Sequence, residues 1–230
     1  MAGRILSLDI GGSNIKGTLL DGAGEMLATY EKIQTPEDPN PENVLAAIKK
    51  LSASFSGFDN ISAGFPGYVK NGTVMTAPNL GTAAWANFPL QDRLTELLGK
   101  PARVVNDADM QGLGIAAGKG FEIVATLGTG FGTAFLMDGR LLPHLELAHH
   151  PVSKDRTYDE YIGEDALVDK GEEKWNKRIG VVLGVLKTVF NYDHLYLGGG
   201  NAKKINIPLA KNISIVGNRD GIRGGARLWS

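Results

Sequence analysis

The chain has 230 residues, 43% hydrophobic and 21% charged, which is enough apolar material for one large domain or two small ones with cores of their own. Its 24 basic and 25 acidic side chains leave a net charge of -1, which excludes a global pull towards nucleic acid or an anionic membrane. With no cysteine there is no disulfide, thiolate nucleophile or cysteine-ligated zinc; no apolar run approaches the ~20 residues of a membrane span, and a strand pattern begins by Ile5, so the expected location is the cytoplasm.

In chain order, RILSLDI and IKGTLL read as two strands joined by a glycine turn, Asp21-Gly22 opens a second turn, and EMLATYEKI is a third strand of an antiparallel meander. PEDPNPEN breaks the pattern, after which Val44, Ile48, Leu51 and Phe55 recur at helical spacing. The strand ISAGF leads into the turn-rich PGYVKNG, and a second amphipathic helix carrying Leu90, Leu94 and Leu97 stops at Gly99 before Pro101. The strand ARVV runs into NDADMQGLGIAAGKG, read as a helix. Then the opening theme returns: IVATLGTGFGTAFLMDGRLL is again strand, glycine turn, strand and Asp-Gly turn. A polar stretch, a helix from about Glu172 to Phe190, the strand HLYLGGG, and a last strand and helix in ISIVGNRDGIRGGARLW complete the chain. Two related hairpins about half a chain apart predict two domains on one plan, with a ligand held between them.

Successive backbone N–H groups in a glycine-rich turn can point into one concavity and bind phosphate oxygens. Neither G-x-x-x-x-G-K-[ST] nor a Rossmann G-x-G-x-x-G occurs, so these turns are either phosphate cradles of another type or plain tight hairpins. Asp9, ending a strand just before the first turn, favours the cradle, because a carboxylate facing phosphates suits a Mg²⁺ ion held through water. Lys16 either meets a phosphate or is an ordinary surface lysine.

LDIGGSNIKG, AGFPG, NDAD, LGTGFGTAFLMDG, ELAHH and LGGGNA stand in the order found in the ROK family of sugar kinases, and the resemblance spans nearly the whole chain. Within that family the chain looks most like the polyphosphate glucokinases, through ELAHHP, KWNKR leading to FNYDHLYLGGGNAKKI, and the closing IVGNRDGIRGG. The resemblance implies an α/β protein of the actin-like ATPase (ribonuclease H-like) fold with a cleft between two domains. The expected division is 1–105 for the N-terminal α/β domain, 106–216 for the C-terminal one, and 217–230 as a helix packing back on the first. Most ROK kinases carry a cysteine-rich zinc motif after E-x-G-H; this chain has none, so no structural zinc is expected. Ala148 replaces the glycine of that motif, Ser13 stands where many relatives have threonine, and no N-terminal helix-turn-helix is present, which argues against the repressor branch. Relatives are often homodimers, although no self-complementary apolar face is legible here.

The resemblance also assigns residues. Asp107 matches the catalytic aspartate of the ND motif, the base that takes the hydroxyl proton as phosphoryl transfer proceeds; read from the residues alone, Asn106, Asp107 and Asp109 serve equally well as helix caps. Asn106, Asp107, Glu146 and His149 form the carboxylate, amide and imidazole set that reads sugar hydroxyls, with Gly67 and Asn79 lining the same site; otherwise Glu146 and His149 belong to a polar surface loop. A zinc site from His144, His149 and His150 lacks the usual ligand spacing. Gly11, Gly12, Ser13 and Asn14, with Gly128, Thr129 and Gly130, are expected at the donor's terminal phosphate, and Gly198, Gly199, Gly200 and Asn201 where the family places base and ribose. Lys174, Lys177, Arg178, Lys187, Lys203 and Lys204 form either a solvated face or a track for a polyanion. The expected reaction is phosphorylation of the glucose 6-hydroxyl with Mg²⁺ and polyphosphate or ATP. The alternatives are an ATP-dependent kinase for mannose or fructose and a non-catalytic sugar-binding regulator; neither nucleic acid nor membrane is an expected partner.

Overall fold

A computed structural model describes residues 3–217 and 221–230. The chain divides into two compact units, Met1–Gly114 with Gly221–Ser230, and Ile115–Asp220. Among the described residues no helix is long and apolar enough to cross a membrane.

The first unit is built on β1 (Ile5–Ile10), β2 (Asn14–Leu20), β3 (Glu31–Gln34), α1 (Pro41–Ser52), β4 (Asn60–Phe65), the short hairpin β5 (Val69–Lys70) and β6 (Thr73–Val74), α2 (Thr82–Trp85), α3 (Leu90–Leu98), β7 (Ala102–Asn106) and α4 (Asp107–Ile115). Its sheet runs β3-β2-β1-β4-β7, antiparallel in the hairpin and parallel from β1 through β4 to β7. One face of the sheet, with Leu6, Leu8, Ile10, Ile61 and Ala63, buries the apolar sides of α1 (Val44, Ile48, Leu51) and α3 (Leu90, Leu94). Burying each such side chain contributes about 1.5–3 kcal/mol. Asn40 caps α1, its Oδ1 accepting from the Asn43 N–H (3.0 Å), and Gly99 ends α3 in the left-handed region at φ 66°. Asn71 and Gly72, both at positive φ, make the β5-β6 turn.

The second unit repeats the plan with β8 (Phe121–Leu127), β9 (Phe131–Met137), β10 (Arg140–Leu141), the hairpin β11 (Pro151–Ser153) and β12 (Arg156–Thr157), α5 (Tyr158–Ile162), α6 (Glu164–Phe190), β13 (His194–Gly198) and β14 (Ile213–Ile215). Its sheet order, β10-β9-β8-β13-β14, matches the first unit's strand for strand, again with three parallel strands, here β8, β13 and β14. Trp175 of α6, fully buried, donates its Nε1–H to the Ile162 carbonyl at 2.8 Å and locks α6 to α5. α7 (Gly224–Arg227) closes the chain and belongs to the first unit.

Several elements differ from their sequence pattern. The third strand expected over 25–33 pairs only at Glu31–Gln34, with a single bridge from Leu20 to Met26. Buried Thr18 donates its hydroxyl to the Ala28 carbonyl (2.8 Å), which removes that carbonyl from the ladder, and Met26 and Leu27 stand exposed. The helix read over 106–120 stops at Ile115, because buried Glu122 accepts the N–H groups of Ala117, Gly118 and Lys119 and holds them in a loop. The helix expected from Glu172 is the longer part of α6, which kinks at Gly171 (φ 74°). The division between units falls after Gly114 rather than at 105/106, since α4 packs on β4 and on the C-terminal segment. Of the segment 217–230, Asn218, Arg219 and Asp220 lie outside the described residues.

Candidate functional site

In both units the glycine turns, and in the first unit Gly67 and the Asn106-Asp107 pair, lie at the carboxyl ends of the parallel strands, where open α/β sheets hold their ligands; Asn79, Glu146 and His149 lie on loops elsewhere. In the first unit the strand-end groups are the turn after β1, Gly67 after β4, and Asn106 with Asp107 after β7. The β1-β2 register pairs Ile10 with Ile15, so Gly11, Gly12, Ser13 and Asn14 form a tight loop closed by the Gly11 N–H donating to the Asn14 carbonyl (3.0 Å). Thr35 braces it twice: its hydroxyl donates to the Gly11 carbonyl (2.6 Å), and its N–H donates to the Ser13 carbonyl (3.1 Å). Gly12 and Ser13 remain exposed at the tip, and Asn79 sits beside them, its Cβ 3.5 Å from where a Gly12 Cβ would stand.

Asp9 and Lys16 are cross-strand partners, joined by an ion pair of 3.1 Å. Burial and the negative charge of Asp9 push the Tyr30 phenol above its ordinary range. Magnesium keeps most of its water shell and takes one or two carboxylates from a protein. One partly buried carboxylate, Asp9, at a strand end beside an exposed glycine turn is compatible with that mode and would hold such an ion through water; among the described residues no cluster of three or more His, Asp or Glu offers an all-protein cage.

Buried Asn106 spends its Oδ1 and one of its two Nδ2 hydrogens within the protein. Its Nδ2 donates to the Gly67 carbonyl (3.0 Å), and its Oδ1 accepts from the N–H groups of Ala108 (2.8 Å) and Asp109 (3.3 Å), so it caps α4 and ties that helix to the end of β4. Asp107, next in the chain, is part-exposed, and its Oδ1 accepts from the Ala108 N–H at 2.8 Å. The cap therefore falls chiefly to Asn106. Gly67 lies against the backbone at Thr76, where no Cβ fits.

In the second unit the Gly128, Thr129 and Gly130 turn is closed by the Gly128 N–H donating to the Gly130 carbonyl (3.1 Å). It is held from two sides. Asp159 of α5 accepts the Phe131 N–H (2.6 Å), and Thr129 accepts the Glu164 N–H from the start of α6 (3.2 Å). Asn201 donates its side-chain amide to the Gly128 carbonyl (3.2 Å) and its N–H to Leu127 (2.9 Å). Gly198 and Asn201 are buried, while Gly199 presses against the Leu127 backbone and Gly200 stands in open space. Asn201 thus joins the two glycine segments.

Glu146 and His149 lie on one 3-10 turn (Leu147–His149), the His149 N–H donating to the Glu146 carbonyl at 3.2 Å. Buried His144 places its Nε2 3.4 Å from the Glu146 Oε1. This contact lowers the Glu146 pKa against the opposing effect of burial, with the charges of His144 and His149 adding to it. Ala148 is buried beneath the turn.

Residues 5–144 match the ROK family, and the chain is 31% identical to a polyphosphate glucokinase of Mycobacterium leprae (strain TN) over 241 residues, covering 97% of this chain and 74% of that one. The chain belongs to the ROK family. Among solved structures, the inorganic polyphosphate/ATP-glucomannokinase of Arthrobacter sp. strain KM superposes with a TM-score of 0.86 at 29% identity over 98% of both chains. A ROK glucokinase from Streptomyces griseus, solved with glucose and AMPPNP, gives 0.79 at 22% identity over 98% of this chain and 99% of its own. The fold is the actin-like ATPase fold shared by ROK sugar kinases.

Within this ROK chain, sequence reasoning missed the groups that hold the turns. Thr35 and Asp159 act across 24 and 28 residues of chain, and nothing local marks either as a brace. His144 had a signal in its place two residues before Glu146, although that position suggested a zinc ligand more readily than a partner for a carboxylate.

Proposed function

We propose that this chain is a glucokinase that transfers a phosphoryl group from polyphosphate or ATP to the 6-hydroxyl of glucose. The observation that carries the assignment is the place of Asp107: it opens α4 directly after β7, part-exposed, beside Asn106, whose Oδ1 accepts two of the first N–H groups of the helix. Likeness to the polyphosphate glucokinase and to the polyphosphate/ATP-glucomannokinase supports the donor and acceptor classes. The glucomannokinase also favours mannose as a second acceptor, and Ala148, in place of the motif's glycine, is the residue through which sugar preference would differ.

In this reading Asn106 and Asp107, with Gly67 and Asn79, are the first unit's sugar contacts, and Glu146 and His149 are the second unit's. Asp107 accepts the proton of the attacking hydroxyl as the bond to phosphorus forms, and because the transition state is loose, its position matters more than its basicity. The glycine turns at 11–14 and 128–130 present backbone N–H groups to the donor phosphates, and Lys16 adds a positive charge. Magnesium, when bound near Asp9, neutralises charge on the transferring phosphates. Gly198, Gly199, Gly200 and Asn201 border the donor's distal part. Of the basic residues, Lys177 pairs with Glu173 (2.8 Å) and Arg178 donates to the Tyr161 carbonyl, which leaves Lys174, Lys187, Lys203 and Lys204 for a long polyanion.

Asp107→Ala tests the assignment. Turnover is expected to fall by about 10³-fold or more, given the 10²–10⁴-fold usual for a positioned general base, with the thermal unfolding curve close to that of the parent. A variant that keeps most of its kcat removes the role.

A further inference from the structure

α4 begins with Asp107, and contacts at backbone range grip it from two sides within the first unit. On one side stands β4. A Cβ built on Gly64 would lie 3.2 Å from the Asp107 Cα and 2.9 Å from the Met110 methyl. On the other side is the C-terminal segment, where a Cβ on Gly224 would overlap the Met110 carbonyl oxygen and lie 2.8 Å from the Gly114 nitrogen. Gly221 approaches the same helix, its Cβ position 2.7 Å from the Gln111 Cγ.

That segment is tied in turn to the sheet. Ser7 and Ser62 are fully buried, where an apolar residue is the ordinary choice, and both hydroxyls are spent on it. Ser7 donates to the Ile222 carbonyl (3.2 Å) and Ser62 to the Gly225 carbonyl (2.6 Å), while the Trp229 Nε1–H donates to the Ser62 Oγ (2.9 Å). The Arg103 guanidinium lies 4.5 Å from the Trp229 ring centroid and donates to the Leu228 carbonyl. A Cβ on Gly225 would overlap the Ser7 hydroxyl, so the segment meets the sheet as closely as it meets α4.

We propose that Gly64 and Gly224 are positioning residues for phosphoryl transfer: by admitting β4 and the C-terminal segment to backbone distance of α4, they fix where the Asp107 carboxylate stands. Neither touches a substrate. The inference rests on the reading of Asp107 as the base, and it follows from the geometry of the wedge. An alanine in place of Gly224 must push the Met110 turn away from the segment, and an alanine in place of Gly64 presses directly on the Asp107 backbone, asking it to give by a few tenths of an ångström while the Met110 methyl gives way; either shift moves Asp107. A misplacement of about 1 Å at a reacting group costs on the order of 100-fold in rate.

The test compares Gly64→Ala, Gly224→Ala and the double variant Gly64→Ala/Met110→Leu for kcat, KM, glucose Kd by calorimetry, and Tm. Both single variants are expected to lose about tenfold or more in kcat while glucose Kd stays within about threefold, because binding tolerates a displacement that the chemical step does not. Met110→Leu withdraws the methyl that the new Cβ of Gly64→Ala would strike and restores part of the lost kcat. A Gly64→Ala enzyme with parental kcat overturns the proposal, as does a parallel fall of kcat and glucose affinity. Should Gly224→Ala fail to fold, Trp229→Phe, which removes one hydrogen bond to Ser62 and little volume, replaces it, with a fall in kcat at constant glucose Kd expected and unchanged kcat counting against the proposal. Asp107→Asn separates the two levels. Turnover retained there removes the base and this inference together; an inactive Asp107→Asn beside a fully active Gly64→Ala removes the positioning role alone.

Discussion

At Glu146 the side-chain contact with His144 outweighs the cost of burial, and the carboxyl titrates below the usual carboxylate range. Its contribution to stability is therefore present in full above the ordinary carboxylate pKa and is lost as the pH falls through the lowered folded value. A sugar-binding carboxylate must be ionised to accept from two hydroxyls, so the same shift extends glucose binding to lower pH. His144→Phe is expected to move the acid limb of glucose affinity towards higher pH, read by calorimetry across about pH 4–7, the range spanned by carboxylate and imidazole groups; an unmoved limb removes Glu146 from the site or His144 from its control. Asn106→Ala should cost about 1–3 kcal/mol in urea unfolding, because it deletes a cap and leaves the buried Gly67 carbonyl without its partner. At this scale the sequence marks Asp9, Asn106, Asp107 and Glu146 as candidates by residue type alone. The sharing of work between Asn106 and Asp107 was not legible, since both have cap-forming side chains and only the geometry shows which one caps.

The glycine turns are local in sequence, and both were legible as turns from the residues on either side. Their rigidity is not local. Thr35 holds one and Asp159 the other, each from an element whose own pattern is spent on different neighbours: Thr35 follows β3, and Asp159 lies in the first turn of α5, behind the Thr157 and Glu160 capping box. Gly130→Ala tests that support, since the new Cβ would stand 2.8 Å from the Asp159 Oδ1 that accepts the Phe131 N–H. Donor KM is expected to rise by about tenfold, the equivalent of ~1.4 kcal/mol, with glucose Kd unchanged; an unaltered donor KM contradicts the placing of phosphate at this turn. The shortened β3 and the early end of α4 arise in the same way, from Thr18 and Glu122, whose side chains take backbone groups that regular pairing would have used.

The two sheets share one strand order, and the echo between the opening hairpin and the hairpin at 121–137 was the trace of that repeat in the sequence. The return of the last residues to the first unit left a fainter trace, the glycines at 221, 224 and 225, whose purpose shows only in the neighbours they meet, Gln111, the Met110 backbone and the buried serines. The overall charge is near neutral, so any donor preference for a long polyanion must come from local lysines. Lys174→Ala/Lys203→Ala should then raise the KM for long-chain polyphosphate and flatten its dependence on salt, leaving the KM for ATP nearly as it was; equal effects on both donors contradict the lysine contribution. The most direct measurement of the central claim is hexose 6-phosphate formation from glucose and Mg²⁺, with ATP and long-chain polyphosphate supplied in parallel to the parent enzyme and to Asp107→Ala. Glucose 6-phosphate is expected from the parent with polyphosphate, with ATP or with both, and none above background from Asp107→Ala. Product from the variant at the parental rate, or none from the parent with either donor, would contradict that claim.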